Sequence, residues 1–234
     1  MDISSIRLYT TGAHPCSYLE GQAASTAFVD PNLAMDSHVY STLSTYGFRR
    51  SGKHVYKPVC MECQACIPVR IPVEMFQAKR SQKRCLKHNK DLSLSVIESI
   101  DTDEHYQLFE RYISIRHSDG DMHPTTRKQY IEFLGSAWGV TRYLEMRLRG
   151  ELIGVAVTDQ LHDGLSAIYT FFEPEYSGRS LGVYGILQQI HWASDLQLPF
   201  LYLGYWIKDC AKMNYKSQYR PLQVLLNKQW ISLK

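Results

Sequence analysis

The sequence predicts an α/β (α+β) protein in two regions, a smaller cysteine-containing one at residues 1–98 and a larger one at residues 99–234. Residues 141–148, 151–160 and 165–172 are apolar or alternating runs, and Gly150 and the Asp163-Gly164 pair supply the turn chemistry of hairpins between them. A glycine-containing loop, a helix to about Asp195 and a strand at 200–206 follow, so the larger region mixes sheet with helix. The smaller region is set off by Cys60, Cys63 and Cys66 at even spacing inside a basic stretch.

Taken in order, residues 1–34 read as irregular, punctuated by Gly12, Pro15, Gly21 and Pro31. Asp36 is placed to cap a helix through Val39, Tyr40, Leu43 and Tyr46, with Gly47 as its stop. A strand is expected at 53–59. Residues 67–76 alternate around Pro68 and Pro72, which points to an edge strand or extended loop because proline cannot donate to a ladder. A short basic helix at 81–89 and an alternating strand at 92–97 complete this region. Helices follow at 103–117, capped by Asp101 or Thr102, and at 125–135. After the strand at 200–206 come a basic helix near 209–217 and a last strand near 223–232. From residue 141 this is the connectivity of GNAT-like acyltransferases, where a loop before the central helix binds the acyl carrier.

The formal net charge is only +3, so the protein is no general polycation. From Arg49 to Lys90, however, eleven Lys/Arg face two acids, Glu62 and Glu74, a local field suited to a polyanion. No window is long and apolar enough to span a bilayer, and the acid-bearing start Met-Asp-Ile-Ser-Ser-Ile-Arg lacks the apolar core of a signal peptide. Six cysteines in two close C-x-x-C steps and scattered singles favour thiols in a reducing compartment, and the expected location is cytoplasmic.

Several constellations can carry chemistry. Cys60, Cys63 and Cys66, with Cys16 as the natural fourth and Cys85 and His54 as others, have the spacing of a zinc or iron–sulfur site, while buried thiols that merely shape the loop are the plainer alternative. Arg179, Ser180, Leu181 and Gly182 lead into a helix start, which attracts phosphate or developing negative charge. Lys208, Lys212, Lys216 and Arg220 recur every fourth residue, so on a helix they share one face. Tyr202, Tyr205, Trp206, Tyr215 and Tyr219 lie nearby and offer stacking surfaces for unpaired bases, although aromatics at strand spacing are more often core. Asp159, Glu173, Asp209 and His191 are the proton acceptors of the second half, and no nucleophile triad, Walker loop or H-E-x-x-H is present.

The run Ser41-Thr-Leu-Ser-Thr-Tyr-Gly-Phe-Arg-Arg-Ser-Gly-Lys-His-Val-Tyr-Lys-Pro-Val-Cys60, with Pro68-Val-Arg70-Ile-Pro72 and Arg80-Ser-Gln-Lys-Arg84, closely resembles the N-terminal region of N-end-rule aminoacyl-tRNA–protein transferases. Ser180-Leu-Gly-Val-Tyr184, Tyr202-Leu-Gly-Tyr-Trp-Ile207 and Lys212-Met-Asn-Tyr-Lys-Ser-Gln-Tyr-Arg-Pro221 resemble that family's C-terminal signatures. The likeness runs from about Cys16 to Pro221 and is nearest to the short bacterial branch. It implies transfer of leucine from leucyl-tRNA to the α-amine of proteins beginning with Asp or Glu, with no cofactor required. The eukaryotic relatives carry a C-x-x-C near the N-terminus that takes part in metal or cluster binding; here its second position is Leu19.

On that resemblance, Glu173 is the first candidate base and Tyr184 a second catalytic candidate. The 177–184 loop would hold the tRNA end, and Arg70, Arg80 and Arg84 would pair the acceptor's carboxylate, since guanidinium selects Asp and Glu over Asn and Gln. Lys208, Lys212, Lys216 and Arg220 would hold phosphates. The rival expectations are an acetyl-CoA-dependent N-acetyltransferase and a metal-organised nucleic-acid-binding module without catalysis.

Overall fold

The computed structural model describes residues 5–120, 122–136 and 138–233; residues 1–4, on which the expectation for the N-terminus rests, lie outside the described residues. The smaller region carries β1 (Leu8–Thr10), β2 (His14–Pro15), β3 (Ala23–Ala24), β4 (Thr26–Val29), α1 (Ser37–Thr45), β5 (Arg49–Ser51), β6 (His54–Pro58), β7 (Ile67–Pro72), α2 (Arg80–His88) and β8 (Leu92–Ile97). The larger carries α3 (Asp103–Arg116), α4 (Arg127–Leu134), β9 (Thr141–Leu148), β10 (Glu151–Gln160), β11 (Gly164–Phe172), α5 (Leu181–Asp195), β12 (Phe200–Trp206), β13 (Leu222–Leu226) and β14 (Gln229–Leu233). Local chemistry sets many of these limits. Asp36 accepts from the Val39 N–H at 2.7 Å and so starts α1, and Thr102 and Thr126 cap α3 and α4 in the same way.

The centre is an eight-stranded mixed sheet in the order β14-β13-β7-β12-β11-β10-β9-β8. All neighbours are antiparallel except β11 and β12, which α5 joins as a crossover between parallel strands. A smaller sheet, β1-β4-β6-β5, packs with α1 against the large one. The two faces are covered differently. A Cβ on Gly185 of α5 would meet Met146, Ala156 and Thr170, whereas Phe109 of α3 meets Tyr169 and Phe171 edge-on. Side chains alternate along a strand, so α5 lies on one face and α3 on the other.

The small sheet is fixed to the large one through Arg50 on β5. Its Nε and Nη2 donate to both oxygens of Asp159 on β10 at 2.6 and 2.7 Å, and Nη1 and Nη2 reach the Gly135 and Leu134 carbonyls. Tyr40 and Thr141 donate to the same carboxylate, each at 2.8 Å. Both ionic side chains are wholly buried and every charge is matched, which makes such burial tolerable.

Several expectations need correcting. The segment 1–34 is not irregular throughout: it contributes β1 to β4. β7 is an interior strand, not an edge. It tolerates Pro68 and Pro72 because only Val69 and Arg70 are paired on both sides, and the prolines lie beyond that stretch on the β13 side. The basic helix near 209–217 is absent; a turn leads into a short 3-10 segment, Asn214–Gln218. The single last strand is a hairpin, β13 and β14, turned by Asn227 and Lys228 at φ +50° and +63°. The large sheet draws strands from both regions, since β7 and β8 pair with strands of the larger one.

Candidate active site

β11 and β12 stay together for only three residues, Gly164, Leu165 and Ser166 against Phe200, Leu201 and Tyr202. There each strand takes in one extra residue. The register of β11 against β10 skips Ile168, and that of β12 against β7 skips Leu203. Bulges of this kind bend a strand and end its pairing, and here they separate neighbouring strands in the middle of a sheet. Ala167, Ile168, Tyr169 and Thr170 are left half-exposed on what would otherwise be a buried central strand.

Two cations take carbonyls beside this opening. Arg49, the neighbour of Arg50 on β5, donates through Nη2 to the Ala167 carbonyl and through Nη1 to Ser166 Oγ. Lys216, in the 3-10 segment, donates through Nζ to the Tyr205 carbonyl and lies 3.6 Å from Met213 Sδ. Gly204 is needed here: its φ is +77°, and a Cβ would stand 3.1 Å from Arg49 Nε. Lys216 is 5% exposed, and burial, then the Arg49 guanidinium, pull its ammonium down to about 7. Neither cation forms an ion pair among the described residues, whereas Arg50, Arg70, Arg111, Arg127, Arg142, Arg147 and Arg179 all do.

Glu173 follows the end of β11, and its Oε2 accepts from Arg111 Nε at 2.9 Å and stands 2.8 Å from Nη2 of the same guanidinium. Oε1 has no hydrogen bond among the described residues. Tyr184 is buried on α5 with its phenol pushed up, by burial first and then by Cys85 and Asp91. At the start of α5, Ser180 is exposed at φ +55°, Leu181 is buried and Gly182 is half-buried. Arg179 is committed elsewhere, in a two-pronged pair with Asp91 at 2.9 and 3.0 Å. Trp206 Nε1 and the Tyr219 hydroxyl are buried without a partner among the described residues.

The four cations at every fourth residue do not share a face, because no helix carries them. Lys208 and Lys212 are exposed, Lys216 points inward, and Arg220 donates to the Leu233 carbonyl. Of the five nearby aromatics, Tyr202, Tyr205 and Tyr219 are buried in the core; Tyr215 and Trp206 retain exposed surface.

Arg70 is buried between Phe200 and Trp230, 3.4 and 4.3 Å from their ring centroids. It donates to Tyr202 and Gln223 and stands 3.7 Å from Asp163. Arg80 and Arg84 are exposed on α2. Asp159 is locked to Arg50 and cannot accept a substrate proton; Asp209 and His191 are exposed.

Cys16, Cys60, Cys63 and Cys66 do converge, on one cavity of about 290 Å³ that Tyr18 and Pro68 also line. Burial, then the other three thiols, push the Cys66 thiol up to about 11. Among the described residues no three His, Cys, Asp or Glu side chains are arranged to grip one ion, and no step below uses a metal. Cys85 packs under the start of α5, with its thiol toward the Arg179 and Ser180 carbonyls.

Sequence reasoning missed Arg49 and Lys216, two cations left without a counter-ion among the described residues. Each lies in a motif that carries the family resemblance, but nothing local distinguishes Arg49 from Arg50, or Lys216 from its exposed neighbours. No helix of the described residues is long and apolar enough to cross a membrane.

Known proteins share these motifs over their whole length. Residues 14–84 match the family model described as arginine-tRNA-protein transferase, N terminus, and residues 104–226 match its C-terminus counterpart. An aspartate/glutamate leucyltransferase from Saccharophagus degradans is 54% identical over 232 residues, covering 99% of this chain and 98% of that one. One from Teredinibacter turnerae is also 54% identical, over 99% and 96% of the two chains. One from Pseudomonas fluorescens is 50% identical over 99% of each. Among solved structures, the C-terminal domain of a protein named as a lysylphosphatidylglycerol synthetase, from Agrobacterium fabrum, gives a TM-score of 0.48 at 12% identity over 83% of this chain and 70% of that one, too loose a likeness to carry an argument. With both halves matched and the relatives aligned end to end, the chain belongs to the arginine-tRNA-protein transferase family.

Proposed function

We propose that this protein transfers leucine from leucyl-tRNA to the α-amine of proteins that begin with aspartate or glutamate, in the cytoplasm, marking them for degradation by their N-terminus. The observation that carries this reading is the end-to-end likeness to aspartate/glutamate leucyltransferases. The opening between β11 and β12 supplies a place for the reaction, and we read the larger region as GNAT-like because a crossover helix begins beside that opening.

The chemistry needs little from the enzyme. The aminoacyl ester is already activated, and a protein α-amine, with a pKa near 7.7–8.0, is roughly a tenth or more neutral at pH 7. The amine nitrogen bonds to the leucyl carbonyl carbon, the bond from that carbon to the ribose oxygen breaks, and the amine's surplus proton leaves as the ribose oxygen gains one. What remains is alignment and charge stabilisation on the carbonyl oxygen. The positive end of α5 is assigned that polarising role, and Glu173, held by Arg111 through one oxygen, leaves Oε1 for the amine proton. Tyr184 then acts through packing, as a buried residue of α5 itself. Trp206 Nε1 and the Tyr219 hydroxyl are donors that the leucyl-adenosine end would satisfy. Exposed Lys208 and Lys212 and the outward side chains of α2, Arg80, Lys83, Arg84 and Lys87, serve the tRNA phosphates.

The test is incubation with labelled leucyl-tRNA or arginyl-tRNA and peptides starting with Asp, Glu, Asn or Lys. Leucine added to the first two alone is the expected result. Arginine addition, or no addition at all, contradicts it.

A further inference from the structure

Arg49 and Lys216 are supplied with donors in excess of acceptors. A guanidinium has five N–H groups, and Arg49 uses two of them, on Ser166 Oγ and the Ala167 carbonyl. An ammonium has three, and Lys216 uses one on the Tyr205 carbonyl and turns another toward the weak acceptor Met213 Sδ. Every one of these acceptors is neutral. Two charges therefore sit in or beside the core with no anion to balance them, among the described residues, in a chain whose other buried arginines are paired. An unpaired charge withdrawn from water is costly, and a fold that holds a half-buried guanidinium and a buried lysine there without a counter-ion is suited to an anion that arrives later.

We propose that Arg49 and Lys216 form the pocket that receives the side-chain carboxylate of the acceptor's first residue, and so select aspartate and glutamate over asparagine and glutamine. This rests on the transfer reaction proposed above. A carboxylate suits the site in charge and shape: its two oxygens can take the free guanidinium N–H groups and the remaining ammonium proton at once.

The placement fits as well. Ser166 pairs in register with Asp159, whose carboxylate meets Arg50 of the small sheet, so Arg49 enters from the face opposite α5. With the ester carbonyl held at the start of α5, an amine whose side chain is anchored on the other face approaches through the gap between β11 and β12. A bound carboxylate also supplies the counter-charge that keeps Lys216 protonated. The exposed cations of Lys208, Lys212 and α2 are the ones presented to nucleic acid, whereas Arg49 is half-buried and Lys216 buried. Arg70, expected to do this work, is already enclosed by aromatic rings and Asp163.

The experiment compares Arg49→Gln and Lys216→Gln with the wild-type enzyme, using leucyl-tRNA and peptides that differ only in Asp or Asn at the first position. The expected result is a fall of about 100-fold in kcat/KM for the Asp peptide, a much smaller change for the Asn peptide, and unchanged affinity for leucyl-tRNA. Retention of the wild-type Asp-to-Asn ratio overturns the proposal. So does weakened leucyl-tRNA binding with that ratio intact, which would assign the pair to a tRNA phosphate.

Should neither variant fold, wild-type protein labelled with ¹⁵N-lysine decides. An Asp peptide that shifts the Lys216 ammonium signal where an Asn peptide does not sustains the pocket, and an unmoved signal sinks it. A wild-type enzyme that adds leucine to no peptide defeats the transfer reading instead, and the binding measurement still judges the pocket separately.

Discussion

Arg49 and Arg50 are adjacent on β5, and the sheet treats them as different objects. Arg50 points to a carboxylate that also receives Tyr40 and Thr141, so its charge is cancelled and its donors are used. Burial, then Asp159, push the Tyr40 phenol well above its ordinary range, which keeps it a neutral donor to that carboxylate. Arg49 points to a hydroxyl and a carbonyl, with a second cation nearby. One arginine closes a core and the other leaves a charge open. The difference separates a residue that holds the fold from one the fold holds for a substrate.

The comparison breaks most visibly at Arg50. Arg50→Met leaves Asp159 as a buried lone carboxylate, and unfolding in urea should show a loss of ~3–5 kcal/mol, with activity lost through the fold. A loss no larger than that of Arg49→Met would erase the distinction.

Lys216→Met should cost the fold far less than this, because the charge it removes has no counter-ion. The sign of its pH dependence follows from proton binding. Folded Lys216 releases its proton near pH 7, whereas the unfolded residue keeps it to about 10.5. Between those values the unfolded chain binds more protons, so the penalty that this lysine places on folding is full below pH 7 and fades as pH rises. Melting curves of wild type and Lys216→Met should therefore converge or cross in favour of wild type from pH 7 to 9.5. A constant gap contradicts a depressed Lys216.

Gly204→Ala puts a side chain at positive φ against Arg49 Nε. A cost of ~1–2 kcal/mol in thermal unfolding is expected, with reduced transfer to Asp peptides as Arg49 is displaced. Full activity would mean that Arg49 need not occupy that position. The smallest effect is at Cys66, whose thiol at about 11 should be alkylated by iodoacetamide at pH 8 about 100-fold more slowly than a free cysteine. Rapid modification would point to a thiolate there.

What could be read from the chain depended on range. Asp36 and Thr102 cap helices with atoms three residues away, and Gly150 turns a hairpin between its immediate neighbours, so these were legible. The standing of β7 was not. Its prolines argue for an edge when read alone, and only the arrival of β12 on one side and β13 on the other places it inside. Lysines at every fourth residue read as a helix face, but the fold draws Lys216 inward to a carbonyl of β12 and keeps the segment short. Cys60, Cys63 and Cys66 were legible as a group because they are local, whereas the gathering of Cys16 with them around one cavity depends on how the chain folds back after β2, where the Cys16 N–H donates to the Gln22 carbonyl. Arg49 was least legible of all. Its meaning depends on where two distant strands diverge, and no spacing within the sequence encodes that.

The most direct measurement of the central claim is the ¹⁵N signal of the Lys216 side chain in wild-type protein at pH 8, titrated with an Asp-headed peptide and then an Asn-headed one. A charged, protected ammonium appearing with the first and absent with the second is the predicted result. The same spectrum with both peptides would mean that these two cations have no role in choosing the acceptor.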